Sequence, residues 1–212
     1  MIWYNKARKG DTMSISYPKG AKRPIPLKHT PTFSSRGMHF EEMINQSNLF
    51  YLDRGMAVIH KKPTPIQIVQ VDYPKRSAVK ITEAYYKEAS TTDYNGVYKG
   101  YYIDFEAKAT QLLTRFPLDN IKAHQLDHMK ACQKQGGISF LLVYFSKRQE
   151  CYLLPLDFVT SYYDQKENGR KSIPYEKIQT EAFLVHQQVN PRLDFLPAVD
   201  QYISIKGEYY EN

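Results

Sequence analysis

The chain has 212 residues, 42% hydrophobic and 24% charged, which is ordinary for a soluble globular protein and long enough for one domain with a full core. Its net charge of +7 points to a polyanionic partner, nucleic acid before membrane, and 18 tyrosines and 10 phenylalanines suit stacking on bases as well as core packing. No run of about 18 apolar residues offers a membrane span, the first six residues lack a secretory h-region, and two cysteines, Cys132 and Cys151, are too few for a disulfide framework, so the expected setting is the reducing cytoplasm.

Residues 1–32 differ from the rest. Lys6, Arg8, Lys9, Lys19, Lys22, Arg23 and Lys28 face a single acid, Asp11, among scattered Gly and Pro. Such a segment buries too little apolar area to order itself, so it reads as a disordered basic N-terminal arm, a strap for phosphates. The folded domain is expected over 33–212.

It begins near Ser34-Ser35-Arg36-Gly37 with a helix whose stripe is Phe40, Met43, Ile44, Asn48 and Tyr51; Glu41 and Glu42 are expected early in it, where the dipole favours acids. Asp53-Arg54-Gly55 turns into a buried strand, Met56 to His60. Ile66 to Val71 alternates as a strand, and Val79 to Ala89 reads equally well as strand or short helix. Between and around them lie two basic turns, Lys61-Lys62-Pro63 and Pro74-Lys75-Arg76. A projection bearing Lys62, Lys75, Arg76 and Lys80 is well placed to touch phosphates.

Asn95-Gly96 is a turn signal, and Tyr101 to Ala109 is the strand that follows it. A helix is expected from about Pro117 to Lys134, ended by Gly136-Gly137. The run Ile138 to Phe145 is hydrophobic throughout and reads as the central strand, paired with Cys151 to Leu156. This order gives an α/β domain, a mixed central sheet flanked by helices.

The chemistry concentrates in Asp104-Phe105-Glu106-Ala107-Lys108. On a strand, alternate side chains share a face at ~6–7 Å per residue pair, so Asp104, Glu106 and Lys108 project together while Phe105 and Ala107 face a core. Asp93, across the turn, pairs naturally with Glu106, and Thr91 shares its side. Two carboxylates, an amide or hydroxyl oxygen and water suit Mg²⁺, with Lys108 near the attacked phosphate. An ExK match alone is common and reads as one wet face of a surface strand; Asp104, Asp93 and the basic chain raise its meaning. His124 and His128 stand i, i+4, but Gln125 breaks the HExxH pattern, and no CxxC, GxSxG or phosphate-loop motif occurs.

Longer motifs carry a resemblance. Ser35-Arg36-Gly37-Met38, His60 to Pro65, Tyr73 to Ser77, Ser90 to Gly96, Tyr98-Lys99-Gly100, Tyr102 to Lys108 and Lys166 to Ile173, in this order, resemble the RecU-type Holliday junction resolvases of the PD-(D/E)xK nuclease superfamily. The resemblance implies a restriction-endonuclease-like fold in a symmetric homodimer, with a protruding stalk over about 61–89. It puts Mg²⁺ ligands (Mn²⁺ being an alternative) at Thr91, Asp93, Glu106 and Gln125, and catalytic roles at Lys108 and the additional acid Asp104. DNA contacts fall on Arg36, Lys62, Lys75 and Arg76. Thr92 replaces the superfamily's proline before Asp93. Four-way junction DNA is the implied substrate, recombinase and branch-migration proteins the implied partners, and the nucleoid the implied location. A duplex-specific restriction-type endonuclease and a non-enzymatic DNA-binding recombination mediator are the competing readings.

Overall fold

The protein was analysed as a computed structural model, which describes residues 33–73, 79–87, 91–167 and 169–210. The basic arm, together with Lys75 and Arg76, lies outside the described residues. Elements in chain order are α1 (Phe33–Asp53), β1 (Val58–Lys61), β2 (Ile66–Asp72), β3 (Lys80–Tyr86), β4 (Tyr94–Tyr98), β5 (Tyr101–Thr110) and β6 (Arg115–Pro117). Then follow α2 (Ala123–Lys134), β7 (Ile138–Phe145), β8 (Glu150–Pro155), α3 (Leu156–Tyr163), β9 (Ser172–Pro174) and α4 (Tyr175–Glu181). Last come β10 (Phe183–Gln187), β11 (Leu193–Asp194) and α5 (Leu196–Tyr210).

Seven strands form one mixed sheet in the order β1-β4-β5-β7-β8-β10-β11. Only β5 and β7 pair in parallel, joined by the crossover that contains α2, and the remaining pairs are antiparallel. The fully apolar run Ile138 to Phe145 is β7, buried along its whole length at the middle of the sheet. Its alternation feeds two cores. Phe140, Leu142 and Tyr144 pack with Phe40, Ile44 and Tyr51 of α1 and Val199 of α5, whereas Leu141, Val143 and Phe145 pack with Leu126 and Met129 of α2, Val159 of α3 and Ile178 of α4. The result is the expected mixed sheet between helical layers. Phe105 lies between Tyr94 and Phe140, ring centroids 4.9 Å away on each side, which seats the acid-bearing strand on the first core.

Four expectations need correction. The helix α1 starts at Phe33, so Glu41 and Glu42 lie beyond its second turn and gain little from the dipole; Glu41 instead pairs with Lys61. The segment from Met56 is less buried than expected: β1 is the sheet's edge strand, and within it only Ile59 is buried. The stretch from Pro117 is not one helix. Leu118–Asn120 make a single 3-10 turn, Ile121 and Lys122 are extended, and α2 begins only at Ala123. Finally, Asn95-Gly96 is not the turn. Both lie inside β4, and the hairpin reverses at Lys99-Gly100, each with positive φ (49° and 83°), as a two-residue type I′ loop requires. Gly96 is needed for another reason: a Cβ there would stand 2.1 Å from the Val58 carbonyl oxygen of β1.

The strands β2 and β3 form a separate two-stranded sheet, which resolves the region left open between strand and helix. The amide of Lys87 donates to the Pro65 carbonyl (3.0 Å) at its base. Side chains are exposed on both faces, Ile68, Val69, Ile81 and Tyr86 among them.

Candidate active site

The site grows out of the β4–β5 hairpin. Tyr94 pairs with Phe105, so the next residue outward, Asp93, comes alongside Glu106. The Asp93 amide donates to Glu106 Oε2 (3.0 Å), and Asp93 Oδ2 lies 3.5 Å from the Ala107 amide. Two side chains reach the other oxygen of Glu106. Lys108, two residues on and therefore on the same face, places Nζ 2.6 Å from Oε1, and Gln125 donates Nε2 to it, also at 2.6 Å. Gln125 faces the strand because it occupies the third position of α2, where its Oε1 accepts the Lys122 amide at the helix start (3.2 Å). Its oxygen is thus held by its own helix, and it offers nitrogen, not oxygen, to the cluster.

Glu106 is 1% exposed. Burial pushes its carboxyl up to about 7; the Lys108 ammonium works against the rise, and the nearby Asp93 charge adds to it. Two neighbouring acids, one of them fully buried and the other part-buried, call for a counter-charge beyond Lys108. A hard divalent cation fits that need, with carboxylate oxygens from Asp93 and Glu106. Thr91 and Asp93 line an adjoining cavity of about 300 Å³ together with Glu41, Lys61, Lys62 and Thr92. Lys108 lines another, of about 510 Å³, near Gln111 and Asn120.

Asp104 shares the strand face of Glu106 and Lys108, but the structure gives it different company. Fully buried, it accepts Thr92 Oγ1 on Oδ1 (2.5 Å), and on Oδ2 it accepts Lys62 Nζ (2.7 Å) and the Tyr102 hydroxyl (3.1 Å), with His128 Nε2 3.3 Å away. Its oxygens are therefore engaged away from the Asp93–Glu106 pair. Lys62 likewise turns inward: its ammonium also bonds Thr92 Oγ1 (2.9 Å), and its amide donates to the Asp93 carbonyl (2.8 Å). Of the expected DNA contacts, Lys62 is thus an interior tether. Arg36 falls in the first turns of α1, and its side chain lies outside the described residues.

Sequence reasoning left Thr92, His128 and Cys132 without a role. Their signal was faint: His128 and Cys132 stand i, i+4 on α2, and Thr92 fills the place of a proline. The packing of α2 against β5 brings His128 and Cys132 to Asp104, and the pairing of β4 with β5 brings Thr92 to it; no local pattern encodes either.

Comparison with known proteins shows the family. A family model described as Recombination protein U matches residues 35–201. The chain belongs to the Recombination protein U family. A relative named Holliday junction resolvase RecU, from Ligilactobacillus salivarius, is 56% identical over 81% of this chain and 81% of its own. Another of that name, from Limosilactobacillus reuteri, is 50% identical over 92% of this chain and 100% of its own. A third, from Streptococcus gordonii, is 51% identical over 82% and 86%. Among solved structures, the Holliday junction resolvase Hjc of Archaeoglobus fulgidus superposes at a TM-score of 0.40 with 11% identity, over 69% of this chain and 94% of that one, too distant a likeness to argue from. Asp93, Glu106, Lys108 and Gln125 all fall inside the matched span.

Proposed function

We propose that this chain is a Mg²⁺-dependent endonuclease that resolves four-way DNA junctions by paired symmetric nicks. One observation carries the reading: a buried carboxylate, Glu106, held between the Asp93 amide, the Gln125 amide and the Lys108 ammonium, with a second carboxylate beside it. The names of its RecU relatives supply the substrate class.

Asp93 and Glu106 would hold the ion, with the Thr91 hydroxyl at the rim of the adjoining cavity as a third oxygen. Bound there, Mg²⁺ supplies Lewis acidity toward phosphate and water. Mn²⁺ has the same ligand preferences and is expected to substitute. Gln125 keeps the Glu106 carboxylate in position. Lys108 orients the attacking water and stabilises charge growing on the scissile phosphate. Lys62 and Thr92 hold the 91–93 segment against Asp104, so that Asp104 acts by positioning.

Symmetric nicking follows from a homodimer in which a two-fold axis relates two such sites. Junction shape and phosphate positions are read by the β2–β3 hairpin, with Lys75 and Arg76 at its far end in sequence, and by Arg36 and the basic arm. The work belongs in the cytoplasm, at the nucleoid, alongside recombinase and branch-migration proteins. Among the described residues no helix is long and apolar enough to cross a membrane.

The test is a side-by-side digest of a synthetic four-way junction and a linear duplex of the same sequence, with Mg²⁺ and with EDTA. Cleavage of the junction alone, paired on opposite strands and dependent on metal, is expected. Equal cutting of the linear duplex would favour a restriction-type enzyme, and binding without nicks a mediator.

A further inference from the structure

We propose a second metal site on this chain, formed by Asp104 of β5 with His128 and Cys132 of α2, that takes a zinc-like divalent transition metal. The three donor atoms lie within 4.8 Å of one another and comprise a carboxylate oxygen, an imidazole nitrogen and a sulfur. That set suits zinc or cobalt and is wrong for magnesium, which avoids sulfur. The site therefore differs in kind from the all-oxygen pair at Asp93 and Glu106.

Two of the three donor separations, both from His128, match a tetrahedral centre, and the third, Asp104 to Cys132, lies within 4.8 Å. With bonds of about 2.0–2.1 Å to nitrogen and oxygen and about 2.3 Å to sulfur, tetrahedral angles put nitrogen and sulfur about 3.5–3.6 Å apart and nitrogen and oxygen about 3.3–3.4 Å apart. His128 Nε2 lies 3.6 Å from Cys132 Sγ and 3.3 Å from Asp104 Oδ2. The Tyr102 hydroxyl on Asp104 Oδ2 and the Thr92 hydroxyl on Oδ1 supply the outer hydrogen bonds that orient a ligating carboxylate. The His128 side chain is 24% exposed, which leaves the ion a way in from solvent, and Cys132 beside it is only part-buried.

In the structure a cation already occupies this neighbourhood. Lys62 Nζ sits 2.7 Å from Asp104 Oδ2 and 3.5 Å from His128 Nε2, at the end of a flexible side chain. Exchange conserves local charge: Asp104 and Lys62 sum to zero beside a neutral thiol, and Asp104, a Cys132 thiolate and a divalent ion also sum to zero. The thiol proton goes to solvent as the metal–sulfur bond forms. Lys62 leaves with its bond to Thr92, loosening the tether next to Asp93.

The test is a Co²⁺ titration of the full-length, reduced protein without DNA, followed by absorption. A near-ultraviolet thiolate-to-cobalt charge-transfer band is expected, with the intense visible bands of a tetrahedral centre, and stoichiometric Zn²⁺ should bleach both. Cys132→Ser should abolish the charge-transfer band and His128→Gln should weaken binding. Lys62→Met should tighten it by removing the competing ammonium. Cys151 is fully buried and cannot substitute. Glu106→Gln should leave the band unchanged, so the result stands apart from the nuclease reading. Absence of the band in the wild type, or its persistence in Cys132→Ser, overturns the proposal.

Discussion

The main-chain amide of Asp93 donates to a carboxylate oxygen of Glu106 at 3.0 Å, so the backbone that presents one acid also fixes the other. This couples the two acids without spending a side chain on the task. It also makes their spacing a property of the β4–β5 hairpin, and the first expectations follow from that coupling.

Lys108→Ala should reduce junction nicking by about 10²- to 10³-fold while leaving junction binding within a few-fold of wild type. Single-turnover cleavage and gel-shift titration on the same preparations check both halves. A parallel loss of binding and cleavage would assign Lys108 to holding DNA.

Gln125→Ala removes the amide from Glu106 Oε1 and should raise the Mg²⁺ concentration needed for half-maximal nicking by roughly 10- to 100-fold, the usual effect of losing a group that orients a ligand. Saturating Mg²⁺ should restore most of the rate. Failure to recover at high Mg²⁺ would mean that the amide acts on substrate.

Metal-free protein should lose stability between about pH 4.5 and 7. Because burial and Asp93 raise the Glu106 pKa on folding, from 4.5 to about 7, the folded state keeps a proton that the unfolded chain releases. The contribution is therefore full below pH 4.5 and disappears as pH climbs through about 7, roughly 3 kcal/mol at most. Urea unfolding in EDTA across this window should show the decline in wild type and a flatter profile in Glu106→Gln. Mg²⁺, which favours the ionised carboxylate, should offset the loss at the upper end.

Gly96→Ala should destabilise the fold by about 2–4 kcal/mol, since its Cβ would meet the Val58 carbonyl at 2.1 Å and Ile59 Cα at 2.6 Å. Thermal unfolding checks this. A near-neutral result would show that the edge strand β1 moves aside at little cost.

Gly96 also shows where sequence reading stops. Asn-Gly is a strong local turn signal, yet the close approach of β1 explains this glycine, and β1 lies over thirty residues earlier in the chain. The alternation of β5 was legible because a two-residue period fixes which side chains share a face, and it put Asp104, Glu106 and Lys108 together on one side. It could not say that Asp104 would be taken up by Lys62 and Thr92 while Glu106 paired with Asp93. That division depends on neighbours from just after β1, just before β4, and α2. Gln125, expected as a ligand, stands against Glu106 with its donor nitrogen facing it, because its oxygen closes the start of α2, a consequence of the chain being extended at Lys122. The apolar run of β7 and the stripe of α1 needed no such context; their burial follows from hydrophobic pattern alone.

The most direct measurement is anomalous scattering from a crystal of the protein soaked in Mn²⁺. The account predicts a peak within bonding distance of carboxylate oxygens from both Asp93 and Glu106, absent from Asp93→Asn. A well-ordered site with no peak there, or ions bound only elsewhere, would contradict it.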